Sequence, residues 1–313
     1  MAETNLMYYL PVISLKGRKI LIKLIIAILT SIVLSVSSAL TLYFVYGVGE
    51  FTMPFSEKAE GPKAAFFNAV YMLTMVVMMT FFILLLIKRR KIGLLKALLL
   101  IMMSFICGIS ASLVLPLWIT IAFLYIFLAL NIQISTYFIQ TFYSLTYYAI
   151  LLIFSINMVI SLIYRRDSLR NALVLLSAVW IGVLFGLYSG RLTPLVLMGI
   201  FATYDIIAVI KGPLRMLIDE IKPRKQKAGL TTQPILGLGA GDILFYSLAV
   251  SYSIGWIQPF SHALMCALLV SFVCIFGLIM TIFIAHYLDK AAAPALPISM
   301  FLALIVIIIF TIV

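Results

Sequence analysis

Nine long runs of almost unbroken apolar sequence dominate this chain, at 20–46, 65–87, 94–130, 138–163, 169–188, 192–210, 236–257, 261–287 and 294–313. A helix rises 1.5 Å per residue, so about 20 apolar residues cross a hydrocarbon layer about 30 Å thick. Lipid offers no partner to backbone polar groups, so each run predicts a helix that pairs its own. The runs are continuous and do not alternate, which argues against a transmembrane β-barrel. Hydrophobic residues make up 65% of the chain and charged ones 10%, with a mean hydropathy of +1.23. A soluble domain is about half apolar and about a quarter charged, so a soluble enzyme, a disordered tail and a disulfide-stapled secreted domain are excluded. The expectation is an all-α polytopic membrane bundle of nine transmembrane helices. It forms a single domain over 1–313, with helices 1–4 in 1–165 and helices 5–9 in 166–313.

Charge orients the bundle. Basic residues cluster at Lys16, Arg18, Lys19 and Lys23, at Lys88 to Lys96, at Arg165, Arg166 and Arg170, and from Lys211 to Lys227. Cytoplasmic loops carry the excess of Lys and Arg. Counting 94–130 as one crossing puts all of the 22 basic residues inside except Lys58, Lys63 and Arg191. Counting it as two, with a break at Pro116, moves the largest basic loop outside. The amino terminus is therefore expected in the cytoplasm and the carboxyl terminus outside. The first run is too long for a signal-peptide core and reads as a retained anchor. The net charge of +12 marks topology and contact with the anionic lipid bilayer, and no nucleic-acid partner is expected. Cys107, Cys266 and Cys274 lie in apolar runs and read as packing residues.

Of ten acidic residues, only Asp205 and Asp242 fall within apolar runs. A carboxylate at membrane depth costs about 2.5–3.5 kcal/mol on insertion scales and marks a functional site by default. Asp205 precedes Lys211 by six residues, which places it about 9 Å from the cytoplasmic end of its helix. The next helix runs back from near Pro234, so Asp242 lies about 6–12 Å from the same end. Gly237, Gly239 and Gly241 precede it, permit close backbone approach and loosen the helix start. Two carboxyls within reach of each other share a proton and titrate as a pair. One then deprotonates a water while the other polarises a carbonyl. The same residue types also serve proton relays, cation sites and plain structural pairing. Pro294-Ala295-Leu296-Pro297 opens the last run at similar depth, either as an ordinary helix start or as a stiff wall beside the pair.

Taken together, Tyr204-Asp205, Gly239-Ala240-Gly241-Asp242, Pro294-Ala295-Leu296-Pro297, Lys211-Gly212-Pro213-Leu214 and Phe245-Tyr246-Ser247 resemble the presenilin family of intramembrane aspartyl proteases. The resemblance is clearest over 165–313. It implies that Asp205 and Asp242 are the catalytic pair. It further implies that Tyr204, Gly239, Ala240, Gly241 and Pro294, Ala295, Leu296 and Pro297 shape the site. The substrate would be a single-span membrane protein that unwinds locally, with an extended segment pairing near Leu230 to Leu238. Only 37 residues separate the aspartates, so an unclipped chain similar to microbial homologues is expected. Ala240 stands where animal presenilins usually carry Leu. Signal peptide peptidases share both aspartate motifs in the opposite orientation, and prepilin peptidases lack the Pro-Ala-Leu-Pro element.

Other motifs carry less. His262 and His286 near the ends of one run read as interfacial, and no His-Glu-x-x-His stretch offers a metal site. Ser110 and Ser112 have no histidine placed as base. The glycines of 237–241 lack the strand and lysine of a phosphate loop. Asn157 and Gln140 are expected to bond between helices. No metal or cofactor is expected. The sequence thus points to an intramembrane aspartyl endopeptidase. A cation leak channel or transporter using the same carboxylates, or a silent scaffold, stays open as an alternative.

Overall fold

A computed structural model describes residues 12–15, 20–49, 54, 55, 57, 61–89, 91–210, 236–287 and 296–312. Among the described residues stand nine helices, α1 (Ile20–Tyr46), α2 (Pro62–Lys88), α3 (Ile92–Ala129), α4 (Thr136–Ile163), α5 (Asp167–Tyr188), α6 (Thr193–Ile210), α7 (Ala240–Trp256), α8 (Phe260–Tyr287) and α9 (Leu296–Ile312). Two short strands accompany them, β1 (Val12–Leu15) and β2 (Leu236–Gly239). Six of the helices are long and apolar enough to cross a membrane. With their exposed apolar side chains, Leu128, Phe272 and Phe283 among them, they define an integral multi-pass membrane protein of all-α class.

Residues 94–129 of that run belong to one helix, α3, of 38 residues with Pro116 inside it and Leu130 capping its end. The proline costs a ladder bond but does not end the helix, as happens where neighbouring helices support the freed backbone. The support is α4, which runs along α3. Phe123 stacks on Phe142 with ring centroids 4.4 Å apart, and Ser155 donates to the Ser104 carbonyl at 3.1 Å. Gly108 has no room for a side chain, because a Cβ there would strike the Ser155 hydroxyl. Ser135 starts α4 by accepting the Phe138 N–H at 3.2 Å, which satisfies one orphan donor of the first turn.

The core sits where α7 crosses α5. Gly182 and Gly186 form a small-xxx-small face on α5, and a Cβ at either would strike α7. At Gly182 it would lie 2.7 Å from the Ser247 Cβ, and at Gly186 2.6 Å from the Leu248 carbonyl. Absent side chains let the two backbones approach, which in lipid replaces the hydrophobic driving force with packing. Hydroxyls and an indole bond across the contacts. Ser35 of α1 donates to Ser247 at 2.8 Å, and the Trp256 indole N–H reaches the Gly186 carbonyl at 3.1 Å. Cys107, Cys266 and Cys274 are free and buried.

The run expected to be helical from 236 begins instead with a strand. Leu236–Gly239 pairs antiparallel with Val12–Leu15, Val12 opposite Gly239 and Leu15 opposite Leu236. Three glycines in five residues (237, 239 and 241) weaken helix formation there. The amino-terminal segment supplies the ladder partner their backbone needs. Asn157 donates to the Ile153 carbonyl of its own helix at 2.8 Å, and Gln140 is exposed. Among the described residues neither forms the interhelical bond expected of it.

Candidate active site

Asp205 lies on α6 and Asp242 in the first turn of α7. Both are partly buried, and the two helices that carry them pack against each other. The packing that brings α6 to α7 includes Phe201 against Phe245, with centroids 5.0 Å apart. Each carboxylate holds one backbone N–H. Oδ2 of Asp205 accepts from Leu296 at 3.3 Å. Oδ2 of Asp242 accepts from Gly239 at 3.1 Å. The second bond is the reach-back of an acid at the third helical position to the residue that caps the helix. Gly239 is extended (φ −67°, ψ 139°), so β2 runs straight into this cap.

The two glycines of Gly239-Ala240-Gly241-Asp242 do different things. A Cβ on Gly239 would lie 3.0 Å from Oδ2 of Asp242, whereas one on Gly241 would meet nothing within 4 Å. The first glycine makes room for the carboxyl, and the second is exposed and leaves open space beside it. Ala240 is the first residue of α7. Leu296 and Pro297 are buried in the first turn of α9, where proline's missing N–H costs nothing. Pro294 and Ala295 lie outside the described residues, as do the stretch 211–235 and the side chain of His286.

Tyr204 packs edge-on against Phe201 at 6.4 Å, and its buried hydroxyl has no partner among the described residues. The Tyr246 ring, one turn beyond Asp242, is completely buried. Its hydroxyl lies 3.4 Å from that of Ser299 on α9, which in turn donates to the Cys274 carbonyl of α8 at 3.3 Å. A Cβ on Gly277 would come within 2.6 Å of the Ser299 Cα. Helices α7, α8 and α9 thus meet at one polar point beneath the aspartates. Ser299 and Gly277 were not legible as site-supporting residues. The spacing of small residues in two separate runs was the available signal.

The remaining motifs lie apart from the pair. His262 packs edge-on against Phe310. Ser110 and Ser112 donate to the Cys107 and Ile109 carbonyls of their own helix. Among the described residues, no group of three His, Cys, Asp or Glu stands together as a metal would need.

Fold and site together define a multi-pass membrane protein with two partly buried carboxyls on adjacent helices, α6 and α7. Over 171 residues the chain is 30% identical to Presenilin-B of Dictyostelium discoideum, a match covering 49% of this chain and 33% of that protein. The chain therefore spans about a third of the length of this relative. No family model matches. The chain is presenilin-like over about half its length.

Proposed function

We propose that this protein is an intramembrane aspartyl endopeptidase that hydrolyses peptide bonds within the spans of single-span membrane proteins. The observation that carries the reading is the placement of Asp205 and Asp242 on two helices that pack together, each partly buried and each holding one backbone N–H. Two such carboxyls share a proton. The ionised one takes a proton from a water lying between them, and the water oxygen attacks the scissile carbonyl carbon. The protonated one donates to the carbonyl oxygen, which becomes a hydroxyl of the tetrahedral intermediate. Collapse of that intermediate breaks the C–N bond: the leaving nitrogen takes a proton from the carboxyl that had gained one, and as the C=O re-forms a hydroxyl of the intermediate returns its proton to the other carboxylate, which restores the starting pair. The presenilin likeness supports the same chemistry.

The substrate helix must open, since its carbonyls are already paired and shielded. β2 supports an account of how it is held. β1 occupies one edge of β2, and an extended substrate segment would add at the other by strand pairing. The open space beside Gly241 would take a substrate side chain next to Asp242. Pro294 to Pro297 would wall the site from the α9 side. The amino terminus would lie in the cytoplasm and the carboxyl terminus outside, with the aspartates near the cytoplasmic face.

The test is cleavage by the pure protein in liposomes, using single-span peptides and mass spectrometry of the products. New ends within the membrane segment, blocked by a transition-state-analogue inhibitor of aspartyl proteases, are expected. A varied peptide set left intact overturns the reading.

A further inference from the structure

The helix carrying Asp205 is held in an unusual way. α6 packs chiefly on α2 and α9 and only lightly on α7, which carries the other aspartate. Its distance from Asp242 is therefore not set by a broad interface between the two helices. At the end of α6 away from Asp205 stands Glu57, from the segment between α1 and α2. Its carboxylate accepts the Leu192 N–H at 2.9 Å, the Thr193 N–H at 2.5 Å and the Thr193 hydroxyl. These are orphan donors at the start of the helix, and a carboxylate is the group that a helix amino terminus favours.

The surroundings are shaped for it. Gly190 has φ +89°, and a Cβ there would lie 2.7 Å from the Glu57 carboxyl carbon, so both its conformation and its lack of a side chain admit the acid. Completely buried Asn68 of α2 holds the same segment. It accepts the Phe55 N–H at 3.0 Å, donates to the Phe55 carbonyl at 2.9 Å and stands 3.4 Å from the Thr193 hydroxyl.

We infer that Glu57 is a positioning residue for Asp205: by mooring the first turn of α6 it sets the axial placement of the helix and so the spacing of the two carboxyls. The inference rests on the protease reading and deepens it. Asp205 lies twelve residues beyond Thr193, about 18 Å along a stiff helix. Release of the mooring lets α6 slide or turn as a body. A misplacement of about 1 Å costs about a hundredfold in rate.

The experiment measures kcat and KM in liposomes for the full chain and for Glu57→Gln, Thr193→Val and Thr193→Ser, using monodisperse protein. Glu57→Gln keeps the shape but turns an amide toward backbone donors. It is expected to lower kcat about ten- to a hundredfold with KM changed less than about twofold. Affinity for a transition-state analogue falls by the same factor as kcat. Thr193→Val falls in the same direction, and Thr193→Ser, which keeps the hydroxyl, retains most of the rate. A role in folding alone would lower yield and melting temperature and leave the kcat of the recovered protein intact. Unchanged kcat in Glu57→Gln, or lost kcat with unchanged analogue affinity, overturns the inference while the protease reading stands. No cleavage by the unaltered protein sinks both.

Discussion

The backbone N–H of Leu296, the first residue of α9, donates to the Asp205 carboxylate at 3.3 Å. One helix start thus holds the acid of α6, while three residues further Ser299 lies against Tyr246 of α7. α9 stands as a strut touching both helices that carry the aspartates. On the proposed protease reading, the spacing of the two carboxyls depends on how α9 is seated.

Seating is set at Gly277, where a Cβ would press within 2.6 Å of the Ser299 Cα. Gly277→Ala should push α9 from α8 and draw Leu296 away from Asp205. Cleavage is expected to fall at least about tenfold, since misplacement by fractions of an ångström is costly at a reacting centre. Parallel assays of activity and thermal melting check this. A variant that loses melting temperature but keeps its rate contradicts it.

Tyr246→Phe removes only the hydroxyl facing Ser299. A bond of 3.4 Å is long for two hydroxyls, and Ser299 keeps its bond to the Cys274 carbonyl. The cost in stability should stay near or below about 1 kcal/mol. Equilibrium unfolding in detergent measures it, and a loss of several kcal/mol would mean the hydroxyl holds more than Ser299.

The two glycines before Asp242 should separate in assay. Gly239→Ala crowds Oδ2 of Asp242 at 3.0 Å and should abolish most activity. Gly241→Ala meets open space, so the fold should hold or gain about 0.5–1 kcal/mol from the better helix former. Its KM should rise as the methyl enters space meant for substrate. Melting curves and steady-state kinetics on both variants decide the matter, and equal effects would refute the division of roles.

Crossing of α5 and α7 leaves no slack at Gly186, where a Cβ would lie 2.6 Å from the Leu248 carbonyl and 2.9 Å from the Tyr252 nitrogen. Gly186→Ala should destabilise by about 1–3 kcal/mol through overpacking. A melting temperature equal to that of the unaltered protein would show that the helices part easily.

Removing residues 1–15 deletes the partner of β2. Amides of Leu236–Gly239 should then exchange with solvent faster, read by hydrogen-exchange mass spectrometry. Unchanged protection would mean that β1 contributes nothing to holding β2 extended.

Much of the fold was legible because hydropathy in lipid is a local signal. Apolar length alone located α1 to α9 within a few residues. The basic loops that flank the later spans favoured reading 94–130 as one helix over two, and the structure keeps α3 whole across Pro116. The strands were not legible. Val12–Leu15 is too short to stand out, and its partner lies more than two hundred residues away. The glycines of 237–241 marked a loosened helix start but carried no sign of what would pair with it. Glu57 read as one of three acids in a loop, since the donors it caps lie 135 and 136 residues further on. Asp205 and Asp242 stood out as candidates because a carboxyl among apolar residues needs a reason. Their supports, Ser299 and Gly277, are common residues in apolar runs and gave no such signal.

On the proposed mechanism Asp205 and Asp242 act as one unit on a water. A double-mutant cycle tests this, with Asp205→Asn, Asp242→Asn and the double variant assayed for cleavage of one single-span peptide in liposomes. Groups acting as a unit are grossly non-additive. Each single variant should lose about as much rate as the double, with all three remaining folded by melting temperature. If the losses add, or if either single variant retains substantial cleavage, the two carboxyls do not form a catalytic pair.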